Sequence, residues 1–308
     1  LFLTDDQSVN NHFGLRKKIF QESKKFIKIF LNELNEIEKI KQEEFNFNDC
    51  SLMNCLYAGV FIFLDRDFLK TIKYINNIFD INHEVLPNSI ENKRLVALRE
   101  NGELLTTESD IVSLRSNVKI YRIFLINYHH KIDINFFNNL SFDKKVNYLT
   151  TVSDSINLIK PLYDKITEAD IIIYAPGTQH SSLLPSYLSR PLGDLIFQNK
   201  KSLKVFISNI GADYENPVYI ASDYLMNAFR YINYSSSKNY KLLDFFNFLL
   251  INDPIENSKK IKCDDGIEES GINFIKLNLE NYQKPGYHDG KKIIKLIFEY
   301  YYRLKNNF

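Results

Sequence analysis

The chain has 308 residues, enough for one large α/β domain or two smaller ones, and its 44% hydrophobic and 25% charged residues describe an ordinary globular protein rather than a disordered one. Lys and Arg (39) nearly balance Asp and Glu (38), so a formal net charge of +1 supplies no field for gripping a nucleic-acid backbone. There is neither a signal-peptide pattern at the amino end nor an apolar run of the roughly 18 to 20 residues that span a bilayer, so a cytoplasmic protein without a membrane partner is expected.

Residues 14 to 40 place Leu15, Ile19, Phe26, Phe30, Leu34 and Ile37 at three- and four-residue steps between charges, the pattern of an amphipathic covering helix with a solvated lysine-rich face. Residues 45 to 64 pass from polar turn residues into a nearly continuous apolar run. This predicts a buried helix entered through a Ser or Asp cap, and residues 65 to 79 continue as a helix. From 94 to 113, apolar runs flank Asn101-Gly102, which predicts a strand, a tight two-residue turn and a strand. Residues 118 to 126 predict a further strand. Residues 155 to 169 read as a helix interrupted at Pro161 and leading into a strand at 170 to 175, with a second β-rich run at 202 to 210 after an intervening helix. Strand, helix and strand at this spacing form a βαβ unit, hence a parallel sheet covered on both faces. Residues 233 to 270, polar and irregular, read as an insertion or mobile loop. Residues 291 to 305 close as an amphipathic helix, and the whole is expected to be a single domain. Three cysteines (Cys50, Cys55 and Cys263) show no metal-ligand spacing and read as buried reduced thiols.

Ligands of open α/β sheets sit beyond the carboxyl ends of the strands. There the chain runs ADIIIYAPGTQHSSLLPSYL, residues 169 to 188. Gly177 permits a sharp turn and close approach of a ligand. Thr178, Ser181 and Ser182, with the first free N–H groups of a helix expected to start near Ser182, suit a phosphate. Gln179 and His180 add groups able to read a base, a sugar or a charged oxygen. Thr and Ser also cap helices, although one serine suffices for that. After the next strand, SNIGADYENP (208 to 217) gathers Asn209, Asp213 and Glu215, where a plain turn equally accounts for the Asn and Gly. In YHDGKK (287 to 292), His288 stands beside Asp289, which either caps the last helix or joins the site. A nucleophile elbow, zinc spacing, Walker A sequence and GxGxxG are all missing, which removes the commonest enzyme classes.

Five segments, in order over residues 45 to 300, resemble the CofD-like family, which includes 2-phospho-L-lactate transferase and the YvcK-type gluconeogenesis factor. NDCSLMNCLYAGVFIFLDRDFLKTI is similar to the family's GSIGNLFLAG segment, and HEVLPNSIENKRLVALRENGELLTTESDI to its ILPV stretch. ADIIIYAPGTQHSSLLPSYL looks like the family's ADLIVxGPGSLYTSxxPNLL, while KVFISNIGADYE and YHDGKKI match its later asparagine strand and HDxxxL tail. The resemblance implies a Rossmann-like three-layer α/β sandwich with a mainly parallel sheet that binds a nucleotide diphosphate at its carboxyl edge. For the transferase branch it implies movement of a phospholactate group from a guanosine phosphate onto a deazaflavin alcohol with Mg²⁺; for the YvcK branch, binding of a UDP-sugar.

Carried over by position, Gly177, Thr178, Ser181 and Ser182 match the phosphate-facing loop. Asn54 matches the asparagine of the GN pair, Asn209 that of the later strand, and His288 with Asp289 the tail. Asp5 and Asp6 fall where the family places acidic residues near metal and phosphate. The chain departs from the family in lacking the opening GGxTG loop, which leads to the expectation of a truncated amino end or lost activity. Cys50 and Met53 also replace glycines. The resulting expectation is a nucleotide-diphosphate or nucleotide-sugar binder, assembled as a homodimer and acting as a phosphotransferase with Mg²⁺. The alternative is a non-catalytic UDP-sugar-binding regulator of carbon or cell-envelope metabolism.

Overall fold

The computed structural model describes residues 17–47, 50–113, 116–211, 214–253, 261 and 263–306. Chain contacts separate two units, residues 1–90 and 91–308. Asp5, Asp6 and Asp213 lie outside the described residues.

In the first unit, α1 (Lys17–Lys41), α2 (Leu52–Phe63) and α3 (Phe68–Ile78) bury Phe26, Leu56, Val60 and Ile75 against one another. Phe26 and Leu34 of the expected stripe are buried in α1, joined by Ile27, whereas Ile37 near the end of the helix is exposed. Ser51 caps α2 by accepting the Asn54 N–H at 3.1 Å, and Asp67 caps α3 by accepting the Lys70 N–H at 3.0 Å. The helix expected from residue 65 begins three residues later, because Asp65 and Arg66 take left-handed φ angles of 53° and 62° that end α2. The helices α1 and α2 meet at Gly59, where a methyl group would overlap the backbone carbonyl of Phe26. Of the three cysteines only Cys55 is buried, 3.6 Å from the Cys50 sulfur. Burial and the neighbouring Cys50 push its thiol pKa up to about 11.

The second unit begins with an antiparallel sheet of β1 (Lys93–Arg99), β2 (Leu104–Leu105) and β3 (Ile120–Asn127), ordered β2-β1-β3. The connection between β1 and β2 is a three-residue loop rather than a two-residue one. Arg99 N–H donates to Glu103 O at 2.9 Å, and Gly102 holds φ 82°, the left-handed position such loops require. After α4 (Glu108–Ser113), α5 (Ile134–Asn138) and α6 (Phe142–Val152), the stretch expected to be helical from 155 instead forms β4 (Ile156–Asn157). It pairs in parallel with β6 (Ser189–Arg190), and the helix α7 (Leu162–Glu168) starts only after Pro161.

The central parallel sheet is β5 (Ile171–Tyr174), β7 (Leu203–Ile207), β8 (Phe248–Asn252) and β9 (Asn273–Leu277), adjacent in that order. Between its strands lie α8 (Leu184–Tyr187), α9 (Leu192–Gln198), α10 (Ala221–Tyr234), α11 (Leu242–Phe245) and α12 (Asp265–Glu269). Side chains alternate across the sheet. Tyr174, Phe206, Leu249 and Ile251 face α9, α10 and α12, burying Ile196, Leu225, Ala228 and Ile267. Leu203, Val205, Ile207, Phe248 and Leu250 face the other way, onto Ile293, Ile297 and Tyr301 of α13 (Gly290–Asn306). Phe248 stacks on Tyr300 with centroids 3.8 Å apart. The result is a Rossmann-like α/β sandwich of three layers. A β10 (Glu280–Asn281) and β11 (Lys284–His288) hairpin leads into α13.

Residues 233–270 are therefore not an insertion throughout. β8 lies within them, fully buried and paired on both sides, with Val205 opposite Phe248 and Leu249 opposite Phe274. Among the described residues no helix is long and apolar enough to cross a membrane.

Candidate functional site

Beyond the carboxyl ends of β5 and β7 the backbone is held by side chains rather than by the sheet ladder. Asn209, after β7, uses both halves of its amide on Gly177, after β5. Gly177 N–H donates to Asn209 Oδ1 at 3.0 Å, and Asn209 Nδ2 donates to Gly177 O at 2.9 Å. His288, at the end of β11, donates from Nε2 to the Ser208 carbonyl at 3.0 Å, which brings the tail motif to the same edge. Half burial lowers the His288 pKa, while the Ser208 bond opposes that shift. Asn252, ending β8, donates its N–H to Ser208 Oγ at 2.9 Å and accepts the Leu279 N–H at 2.9 Å. The edge is thus a connected polar row that brings Gly177, Asn209 and His288 together.

The loop that follows differs from its expected form. Gln179–Leu183 makes a wide turn, with Leu183 N–H donating to Thr178 O at 3.1 Å, and passes into α8, which is only four residues long. No helix of sufficient length starts near Ser182 to offer a dipole or a row of free N–H groups. The first amides of the turn are already satisfied. His180 N–H donates to Glu215 Oε2 at 2.8 Å and Ser181 N–H to Glu215 Oε1 at 3.1 Å, with Glu215 only 1% exposed. A buried carboxylate therefore holds the two amides that open the turn, just ahead of Ser182, where the phosphate-facing helix is expected to start.

Gln179 and His180 point inward, so neither side chain reads a ligand from the surface. Gln179, 2% exposed, donates to Tyr224 O at 2.9 Å. His180 is fully buried, and Asn216 Nδ2 donates to its Nδ1 at 3.0 Å, which assigns the imidazole proton to Nε2. Burial takes its pKa down to about 3, and the positive charges of Arg99 and Arg230 act in the same direction, so the ring is neutral. The hydroxyls that remain at the surface of the loop are those of Thr178, Ser181 and Ser182, the two serine oxygens 3.4 Å apart.

Asp289 caps α13, accepting the Lys292 N–H at 3.1 Å. Asn54 belongs to the first unit, exposed in the first turn of α2. In the sequence Glu215 reads as a turn residue rather than as the clamp of the preceding loop, and nothing marks Asn216, Ser208 or Tyr224. Among the described residues no group of three or more His, Cys, Asp or Glu side chains is placed to hold a metal ion. Those described at this edge do not build a Mg²⁺ site, since Glu215 is taken by two N–H donors.

A parallel sheet covered on both faces, with a clamped polar loop, an asparagine and a histidine gathered beyond its strands, defines a Rossmann-like α/β protein. The family model described as 2-phospho-L-lactate transferase CofD matches residues 27–280, and the chain belongs to that family. A putative gluconeogenesis factor of Thermotoga maritima is 24% identical over 251 residues, covering 81% of this chain and 66% of the relative. The gluconeogenesis factor of Halalkalibacterium halodurans is 27% identical over 220 residues, covering 68% and 59%. The chain thus spans somewhat under two thirds of the length of these relatives. A crystal structure of a UPF0052-family protein from Bacillus halodurans superposes with a TM-score of 0.61 at 19% identity, over 95% of this chain and 87% of that one.

Proposed function

We propose that the protein binds the diphosphate of a nucleotide or nucleotide-sugar at the carboxyl edge of the central sheet, through the hydroxyls of Thr178, Ser181 and Ser182. The observation that carries this reading is the two-point clamp of Gly177 by Asn209, which fixes the start of the hydroxyl-bearing loop relative to the sheet. Membership of the CofD family and the names of the relatives support two uses of such a ligand, group transfer between phosphate esters or regulation of carbon metabolism.

One observation favours regulation. Among the described residues at this edge, each acid or base is already engaged. His288 Nε2–H is given to a carbonyl, Glu215 holds two amides, and His180 is neutral and enclosed. Transfer would instead work by positioning and charge stabilisation, which phosphoryl chemistry permits. Mg²⁺ would then be bound mainly through ligand phosphate oxygens. A homodimer forms part of the proposal.

The test is thermal shift against UDP-sugars, UDP, GDP and GMP with and without Mg²⁺, since a ligand of the folded state raises the melting temperature. Ser181→Ala with Ser182→Ala is expected to weaken the responding nucleotide more than tenfold with little change in unliganded stability. Unchanged affinity in that double variant would exclude the hydroxyl loop.

A further inference from the structure

A polar cavity of about 190 Å³ lies between β3, the end of α6, the segment leading into β4, the end of β6 and the end of α10. It contains none of the residues assigned to nucleotide binding, and the inference drawn from it is independent of that reading. Its walls carry two guanidinium groups, Arg122 of β3 and Arg190 of β6. Neither has a carboxylate within ion-pair distance among the described residues, and the Arg122 Nε is shielded from solvent without a hydrogen-bond partner. The one carboxylate in the wall, Asp154, is bound by Lys93 at 2.7 Å, so its charge is already offset. The cavity is therefore net positive.

Arg122 is also held in place. Its guanidinium carbon lies 4.3 Å from the ring centroid of Tyr234 and 4.9 Å from that of Phe124. The helix bearing Tyr234 is fixed to β3 by a buried bond, Ile123 N–H to Tyr231 Oη at 2.8 Å. A stacked guanidinium loses little freedom when it takes a ligand, and its fork of N–H donors matches an oxyanion. Tyr234 and Ser155 add hydroxyls to the wall for which no partner exists among the described residues.

We propose that this cavity binds a phosphate group, either free inorganic phosphate or the phosphomonoester of a small metabolite. Two unpaired guanidinium groups with hydroxyl donors suit a doubly charged anion with several acceptor oxygens better than a single carboxylate. The volume falls below the roughly 300–1,000 Å³ of sites for larger ligands, which excludes a whole nucleotide.

The test is isothermal titration of the full chain with inorganic phosphate and with glycerol 3-phosphate, at ionic strength matched with chloride. Saturable binding of either one supports the site. A tighter constant for glycerol 3-phosphate identifies a metabolite, and a tighter one for inorganic phosphate identifies the free ion. Arg190 is exposed, so Arg190→Gln preserves the fold and is expected to weaken phosphate at least tenfold. Arg122→Lys, which keeps the charge but loses the fork, is expected to weaken it similarly. No saturable binding of either ligand overturns the inference. So does binding that survives Arg190→Gln unchanged or disappears in the Ser181→Ala, Ser182→Ala variant, because the phosphate would then sit elsewhere.

Discussion

Glu215→Gln tests the clamp on the Thr178–Ser182 loop most directly. The carboxylate accepts N–H groups from two successive residues, at 2.8 and 3.1 Å, in a site only 1% exposed. Glutamine keeps one acceptor oxygen and turns the other into an NH₂ that faces an N–H. One buried amide is then orphaned, at about 1–3 kcal/mol, and the surviving bond drops from the charge-assisted range of about 1.5–3 to about 1 kcal/mol. Against this, the neutral side chain no longer carries the desolvation cost of a buried charge, a cost of several kcal/mol in an unpaired ion. Here that cost is already reduced by the two N–H donors. The net expectation is a loss of about 2 kcal/mol. Glu215→Ala, which orphans both amides and leaves a cavity, is expected to cost about 3–5 kcal/mol. Urea unfolding at unchanged slope measures both. Amide hydrogen exchange supplies the local readout, with His180 and Ser181 expected to exchange faster while the amides of β7 keep their protection. A glutamine variant within about 0.5 kcal/mol of wild type, with both amides still protected, would refute the reasoning.

Two further outcomes are expected. The unfolded chain takes up a proton on His180 near pH 6.5, whereas the folded chain refuses it until about 3. Stability from this group is therefore complete above pH 6.5 and falls by about 1.4 kcal/mol per pH unit below it, or about 2 kcal/mol by pH 5. His180→Gln should show a correspondingly flatter fall in melting temperature between pH 7 and 5, and parallel curves for the two proteins would disprove the assignment. Gly59→Ala forces a methyl against the Phe26 carbonyl and is expected to cost about 1–3 kcal/mol, read as a lower urea midpoint. An unshifted midpoint would mean that α1 and α2 separate without penalty.

The elements with strong periodicity were legible in the sequence. The stripe of α1, the apolar run of α2 with its Ser51 cap, the strands β5 and β7 and the final helix all follow from spacing that packing then uses. β4 was not legible, because a two-residue strand has no period to read and its partner, β6, lies more than 30 residues away. β8 was missed for a different reason. Its Phe248–Ile251 run is apolar, but the serines and asparagines before it and the asparagine and aspartates after it dominate any average over the segment. At the candidate site, the polar residues after β5 were legible as a cluster beyond the strand. Their direction was hidden, because Gln179 and His180 turn inward only where Tyr224, Glu215 and Asn216 await them, and those residues arrive from a loop and helix beyond the next strand. Spacing along the chain carries no record of such a meeting.

The C-terminal helix has a consequence for biogenesis. Leu203, Val205, Ile207, Phe248 and Leu250 line one face of the central sheet, and α13 is the helix that closes it. Residues 290–306 leave the ribosome after every strand of that sheet, so at about 5–20 residues per second the nascent protein carries a bare apolar face for a few seconds. During that interval a chaperone or a neighbouring nascent chain competes with the missing helix for the same surface. Docking of Ile293, Ile297 and Tyr301, with the Tyr301 hydroxyl donating to Asp170 at 2.9 Å just ahead of β5, ends the competition by tying the late helix to the start of the sheet's first strand.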